Sequence, residues 1–545
     1  MVWLIHILAI LLVGAASFFG FDMVVDALVR NFGIVGQDIY DVVNGNKMLY
    51  IMGRLAIGLI LYALIAPYLN KLFTQEENTS QGTEVKAANT LKDLASPTGY
   101  IISEGFRIKQ QFFQEHIVYL GPTGVGKTTS GFLPNLLDES AIPLSVVVND
   151  VKRDLIQDTG NARTAIGSKV MMFAPFDPLY SIRINPLLQA KDSSAVKQLA
   201  FTMLVNGGAS SSGNQDWVSM ASPLLTSTFL AALKLEENPT VSNCIRKIIQ
   251  SSDEELERYI ISSGDDEALD SFGLYRQSTK AQSTSGGIRT VLGTNMQIFL
   301  DKNIEYVTSG NDLIISDLRK ESISLYMHVP ESKATYARPL MSTIYYLMFD
   351  ILAETDGHIL PFLLDEFANI GYIPNLDNYI TVFRGRKMPF VLGIQSSNQI
   401  SALYGATADT IMDNLKTKVM FPGMGPNSAE YASSILGDTT YKGKLLDKSY
   451  VRQIPEDTVL VVARNKAPVL DKAAHFSKNK SMVAKVANPY SPEQRTNSIE
   501  MSKPKPPSYP TTQTANPVQV DGLDLLQKSR VVTKQAANDD EGVDF

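Results

Sequence analysis

Hydrophobic and polar positions divide the 545-residue chain into four stretches. The first holds two long apolar runs. Residues 1–21 carry no charge until Asp22, and residues 48–69 are interrupted by Arg54. Each is long enough to cross a bilayer at roughly 20 residues per span. Arg54, near the outer end of the second run, can snorkel to the interface, and Tyr50 and Tyr68 stand where interfacial aromatics are expected. The pattern predicts two transmembrane helices with residues 22–47 as a short external loop. Residues 73–100 are polar and read as a linker. The third stretch alternates. Short apolar runs bounded by turn signals predict buried strands at 116–120, 144–150, 169–173, 322–329, 359–365, 389–395, 418–421 and 458–463. Between the third and fourth of these, helical periodicity dominates at 195–204, 217–235, 241–250, 253–261 and 287–299. From about Ser477 the chain turns to Pro, Lys, Ser, Thr, Asn and Gln and ends acidic, which predicts a disordered tail.

Alternating strands and helices imply a mainly parallel α/β sheet with crossover helices, and the helical stretch implies an inserted all-α domain. The expected layout is a membrane anchor at 1–72 and a linker at 73–100. A nucleotide-binding domain follows at 101–186 and 302–475, interrupted by the all-α insert at 187–301. A disordered tail at 476–545 ends the chain.

Bulk composition narrows the picture little. The length allows two to four domains. A formal net charge of −7 argues against a broad basic surface wrapped on nucleic acid, though not against a narrow basic pore. Cys244, the sole cysteine, cannot form an internal disulfide and reads as a buried small hydrophobe in a reducing compartment. The five histidines are scattered without metal spacing, so zinc chemistry has no support.

The chemistry lies at strand ends. Gly121-Pro122-Thr123-Gly124-Val125-Gly126-Lys127-Thr128, followed by Thr129, fits G-x-x-x-x-G-K-[ST] between a strand and a helix that Pro134 would shorten or kink. This is the phosphate-cradling loop of P-loop NTPases. Its glycines turn backbone N–H groups onto phosphate oxygens at a helix N-terminus. Lys127 would reach the β and γ phosphates of ATP, and the Thr128 hydroxyl would ligate Mg²⁺. The run ending Leu363-Leu364-Asp365-Glu366 has the Walker B arrangement, with Asp365 at the Mg²⁺ shell and Glu366 orienting or deprotonating the attacking water. Gln395 closes another strand, where it could sense the γ-phosphate or simply cap a helix. Arg384-Gly385-Arg386-Lys387 reads as a solvated loop, an arginine finger entering a neighbour's site, or a nucleic-acid contact. Since the nucleotide loop must face cytoplasmic ATP, both chain ends should lie inside.

Together these features resemble the coupling proteins of type IV secretion systems, the membrane ATPases of conjugative DNA transfer. The resemblance spans roughly residues 1–470. It is carried most specifically by the stretch from Leu364 to Gly371, with echoes at Asn149-Asp150-Val151-Lys152-Arg153-Asp154, Phe176-Asp177-Pro178, Asn185-Pro186-Leu187 and Asp216-Trp217. It implies a fold like RecA and FtsK motors, hexamers around a channel, and an all-α domain that helps recognise substrate. It assigns Lys127, Thr128, Asp365, Glu366 and Gln395 the roles above and matches Arg384 to a trans-acting arginine. Where the family often has Asp-Pro-Lys-Gly-Glu, this chain has Asp150-Val151-Lys152-Arg153-Asp154, lacking both Pro and Gly.

The expected function is a multi-pass protein of the bacterial inner membrane with a cytoplasmic ATPase domain. It would recruit single-stranded DNA with its relaxase and accessory proteins and pump the strand into the secretion channel. Two alternatives keep the architecture: delivery of protein effectors, or a docking platform in which ATP only fastens subunits together.

Overall fold

The computed structural model describes residues 85–494, apart from 208–214, 280–281 and 440–442, together with scattered positions between 23 and 63. The first apolar run, and the tail beyond 494, lie outside the described residues. The second run is described in part. Met48, Ile51, Met52, Leu55, Leu59 and Ile60 are helical and 57–72% exposed.

The body starts earlier than the linker reading proposes. Lys86 N–H donates to Pro468 O, Leu91 and Leu94 are buried, and β1 (Ala95–Ser103) pairs antiparallel with β2 (Phe106–Ile108). The polar first half of β1, Ala-Ser-Pro-Thr-Gly, hides this strand from a hydrophobicity reading.

The strands that follow are β3 (Ile117–Leu120), β4 (Val146–Asn149), β5 (Lys169–Phe173), β6 (Ile323–Met327), β7 (Phe362–Leu364), β8 (Phe390–Ile394) and β9 (Thr417–Met420). They pair in parallel in the order β9-β3-β8-β7-β4-β6-β5. A two-residue hairpin, β10 (Asp438–Thr439) with β11 (Gly443–Lys444), stands apart. The main sheet is completed on one edge by β12 (Thr458–Ala463) and β13 (Val469–Lys472), both antiparallel. Its interior strands read as continuous apolar runs because both faces are covered. Ile117 and Tyr119 point into one core, Val118 and Leu120 into the other. In β6, where apolar and polar side chains alternate, all five residues are buried. Its polar side chains are satisfied: Ser324 accepts from Arg163, and the Tyr326 hydroxyl pairs with Thr159.

Helices pack on both faces. Helix α1 (Asp154–Ala165) covers the face shared with the β1–β2 hairpin. The helical region contributes α2 (Ser193–Asn206), α3 (Gln215–Leu235), α4 (Val241–Gln250), α5 (Asp253–Ser262), α6 (Asp266–Ser278) and α7 (Gln282–Asn295). Its buried side chains merge with the second sheet face into one continuous core. α3 is apolar enough to cross a membrane by length and composition, yet Leu224, Leu225, Phe229 and Ala231 are wholly buried, and it is a core helix. α8 (Ala334–Ala353) shows little amphipathic stripe because the stretch from Pro339 to Phe349 is buried on all sides. α9 (Leu376–Gly385), α10 (Asn398–Tyr404) and α11 (Pro426–Leu436) follow β7, β8 and β9.

The predicted disorder from 477 begins too early. α12 (Lys480–Val486) buries Met482, Lys485 Nζ donates to Leu137 O, and Tyr490 lies against Gly160 of α1. Two apolar contacts and a hydrogen bond within a polar stretch dock it, and a composition average misses them.

Candidate functional site

Three strand ends build the site. β3 ends at Leu120, paired with Ile394 of β8, and Leu364 of β7 pairs with Leu392. The residues that follow, Gly121, Asp365 and Gln395, therefore reach the same carboxyl edge of the sheet. That edge is where open α/β sheets bind ligands.

The loop Gly121–Lys127 leaves β3 with Gly124 and Gly126 at φ +85° and +92°. Lys127–Phe132 then forms a π-helical turn, and a short α-helix, Leu133–Leu137, carries Pro134 in its first turn. Pro134 has no N–H to offer the preceding turn, which accounts for the wider bonding there. Lys127 Nζ donates to the carbonyls of Gly121 (2.6 Å) and Pro122 (2.9 Å), holding the ammonium inside the loop. Burial lowers its pKa, while Glu366 and Asp365 favour its charge and Lys152 opposes it.

The Thr128 hydroxyl donates to Asp365 Oδ2 at 2.5 Å. Asp365 is buried, and burial raises its pKa to about 6, with the Thr128 bond acting in the opposite sense and Glu366 adding to the rise. Its other oxygen, Oδ1, is buried without a hydrogen-bond partner. A hydroxyl beside a carboxylate with a spare oxygen is the hard-oxygen donor set that suits Mg²⁺. Among the described residues there is no cluster of three or more His, Cys, Asp or Glu that could hold a metal by itself.

Glu366 adopts φ +58°, ψ +52°, a left-handed conformation uncommon outside glycine and asparagine. This turns its carboxylate toward β8, where Gln395 Nε2 donates to Glu366 Oε2 at 2.8 Å. The Gln395 backbone N–H in turn donates to Gln399 Oε1 at 2.8 Å, tying the strand end to α10.

The structure thus brings Lys127, Thr128, Asp365, Glu366 and Gln395 together. Arg384 lies elsewhere in its own chain. It donates to Glu115 Oε1 at 2.5 Å, and Arg464 reaches the same oxygen at 3.2 Å. Glu115 precedes β3, at the opposite end from the phosphate loop. The Glu115 side chain is 6% exposed and that of Arg384 52%.

Sequence reasoning missed three supports. Asn149 Nδ2 donates to the Asp365 carbonyl at 2.7 Å across the β4–β7 pair. Asp150 accepts from Ile156 N–H and organises the start of α1. Gly393, adjacent to Asp365 by strand register, has no room for a side chain: a Cβ there would sit 2.8 Å from Asp365 Oδ1 and 3.3 Å from the Phe132 ring. The first two lie in the Asn149–Asp154 stretch already singled out. Gly393, a glycine within an apolar strand, is the usual mark of close backbone approach.

The chain is similar to Protein VirD4 of Agrobacterium fabrum, 24% identical over 457 residues, covering 79% of this chain and 67% of that one. For Protein VirD4 of Rhizobium radiobacter the identity is 25% over 350 residues, covering 61% and 49%. Among solved structures, the bacterial conjugative coupling protein TrwBdeltaN70, in a trigonal form with sulphate, superposes with a TM-score of 0.61 at 17% identity, covering 72% of this chain and 94% of that one. TrwB with the non-hydrolysable ATP analogue ADPNP gives 0.61 at 16% identity, with the same coverage. These likenesses fix the fold as that of the coupling-protein P-loop NTPases. Residues 69–458 match the family described as Type IV secretory system Conjugative DNA transfer, and the chain belongs to that family.

Proposed function

We propose that this protein is an ATP-driven coupling protein of a type IV secretion system, which takes up single-stranded DNA with its relaxase and accessory proteins and passes the strand to the secretion channel. The observation that carries the reading is the meeting of Lys127, the Thr128–Asp365 pair and the Glu366–Gln395 pair at one sheet edge. Coupling proteins of the same fold have been captured with ADPNP and with ADP and Mg²⁺.

The P-loop amides from Gly121 to Thr129 and Lys127 bind and orient the ATP phosphates. Thr128 and Asp365 would hold Mg²⁺, which when bound neutralises charge between the β and γ phosphates. Gln395 fixes the Glu366 carboxylate, and Glu366 aligns a water and accepts its proton as the water oxygen bonds to the γ-phosphorus. The bond from that phosphorus to the ADP oxygen breaks, releasing ADP and phosphate. Arg384, held by Glu115 away from its own loop, would serve a neighbouring subunit in a homohexamer. The exposed apolar helical positions from Met48 to Ile60 support anchorage by helices in the bacterial inner membrane, with the motor on the cytoplasmic side.

The test is ATP turnover by the full chain in lipid nanodiscs, with and without single-stranded DNA, beside transfer of a mobilisable plasmid by cells carrying the protein. Turnover stimulated by DNA and abolished in Lys127→Ala, with loss of plasmid transfer, is the expected result. Turnover unchanged in Lys127→Ala would overturn the mechanism. Binding of effector proteins with no response to DNA would move the cargo assignment to protein.

A further inference from the structure

The loop that follows Glu366 is fastened to the helical region by one side chain. Asn206, the last residue of α2, donates from Nδ2 to Tyr372 O at 2.9 Å and accepts at Oδ1 from Tyr372 N–H at 2.7 Å. Its Nδ2 also donates to Thr202 O at 2.9 Å, which fixes the rotamer. Asn206 as a whole is 8% exposed. Gly371 makes room for it: at φ +98°, a Cβ there would lie 2.5 Å from Asn206 Oδ1. A side chain at 371 is thus excluded by sterics and by backbone conformation together.

On its other side the loop is held by Tyr404. Its hydroxyl accepts from Ile373 N–H at 3.2 Å, and its ring stacks on Phe367 and lies against Tyr372. Tyr404 ends α10, and Gln399 of the same helix accepts the backbone N–H of Gln395. A bonded path therefore runs from α2 through Asn206, Tyr372, Ile373 and Tyr404 to α10. There it meets Gln395, and through Gln395 reaches Glu366. Packing is interrupted beside this path by a cavity of about 1120 Å³ lined by Asn206, Gly371, Tyr372, Arg338, Gln399 and Leu403, among others. The bonds from Asn206 to Tyr372 are thus a directional link between the loop and α2.

We infer that Asn206 is a positioning residue that couples the helical region to hydrolysis: displacement of α2 by cargo is transmitted to the loop from Phe367 to Ile373 and so to the Glu366–Gln395 pair. This rests on the motor reading above. The coupling predicts a defect in turnover stimulated by DNA rather than in nucleotide binding, because Asn206 touches no residue of the phosphate loop.

The experiment compares Asn206→Ala, Asn206→Asp and Gly371→Ala with wild type in the full chain, reading ATP turnover with and without single-stranded DNA, KM for ATP, ADPNP affinity and thermal midpoint. Asn206→Ala removes both bonds. Asn206→Asp keeps the acceptor for Tyr372 N–H but sets an oxygen against Tyr372 O. Gly371→Ala displaces the carboxamide from the other side and leaves Asn206 in place. Expected in all three is a fall of about tenfold or more in kcat with DNA, with KM and ADPNP affinity within about twofold, so that the stimulation ratio approaches one. Wild-type stimulation in Asn206→Ala overturns the proposal alone. So does a parallel loss of ADPNP affinity, turnover and thermal midpoint in all three variants, which marks a purely structural residue. Absence of turnover in wild type overturns the motor reading, and this inference with it.

Discussion

Gln395 Nε2 donates to Glu366 Oε2 at 2.8 Å, joining the ends of two adjacent parallel strands. A carboxylate steered by a neutral amide keeps its acceptor capacity for water, whereas a lysine in the same place would neutralise it. Glu366→Gln should keep nucleotide affinity and lower kcat by about 10²–10⁴-fold, the usual contribution of a general base. Gln395→Ala should lower kcat less, since Glu366 stays but loses its orientation. Single-turnover hydrolysis alongside equilibrium ADPNP binding separates the two effects, and equal losses in binding and turnover would contradict the assignment.

Gly393 is fixed by the register that sets it beside Asp365. Gly393→Ala should destabilise the fold by about 1–3 kcal/mol, the usual cost of overpacking, and weaken Mg²⁺-dependent turnover because the new methyl displaces the Asp365 carboxylate. Urea unfolding gives the first quantity and a Mg²⁺ titration of turnover the second. A variant with wild-type values in both would show that β8 shifts freely.

Arg384 offers a test of subunit sharing. In a mixed assembly of Lys127→Ala and Arg384→Ala chains, some interfaces combine an intact loop with an intact arginine. Turnover should reappear on mixing two preparations that are each inactive, and ADPNP binding by Arg384→Ala should be unchanged. Failure of mixing to restore activity, with mixed assemblies demonstrated, would assign Arg384 to a structural ion pair with Glu115.

Two buried groups give opposite pH dependences. His116 donates from Nε2 to Ile380 O and accepts from Phe390 N–H at Nδ1, so it is held neutral, and burial lowers its pKa to about 4. Between about 6.5 and 4 the unfolded chain binds a proton that the folded chain refuses. Stability therefore falls as pH drops through that window, by up to roughly 3 kcal/mol. Burial raises the pKa of Asp150 to about 7. The folded chain then holds a proton that the unfolded one has released above about 4, and stability falls as pH rises from there to about 7. His116→Asn, which tolerates the local φ of +66°, should flatten the acid limb, and Asp150→Asn the neutral one. Urea midpoints from pH 4.5 to 7.5 for the two variants read the slopes separately.

The sequence alone determined which residues are candidates for the chemistry and on which local elements they stand. The phosphate loop, the acidic pair after an apolar strand and the strand ending at Gln395 are each written within ten or so consecutive residues, as loop-and-strand signals are. It also marked helices such as Val241–Gln250 to the residue, because one face of that helix is strongly apolar. Tertiary structure decided everything that needs two distant segments to meet. The pairing of Leu364 with Leu392 sets Gly393 against Asp365, the Asn206 carboxamide reaches a loop 166 residues away, and Glu115 holds Arg384 far from its own phosphate site. α8 and the first strand escaped for different reasons: one is buried all round and shows no stripe, and the other has a polar first half where the chain bulges out of register with its partner strand and leaves Pro97 and Thr98 exposed. Periodicity records which face of an element is covered, and only the packed fold says by what.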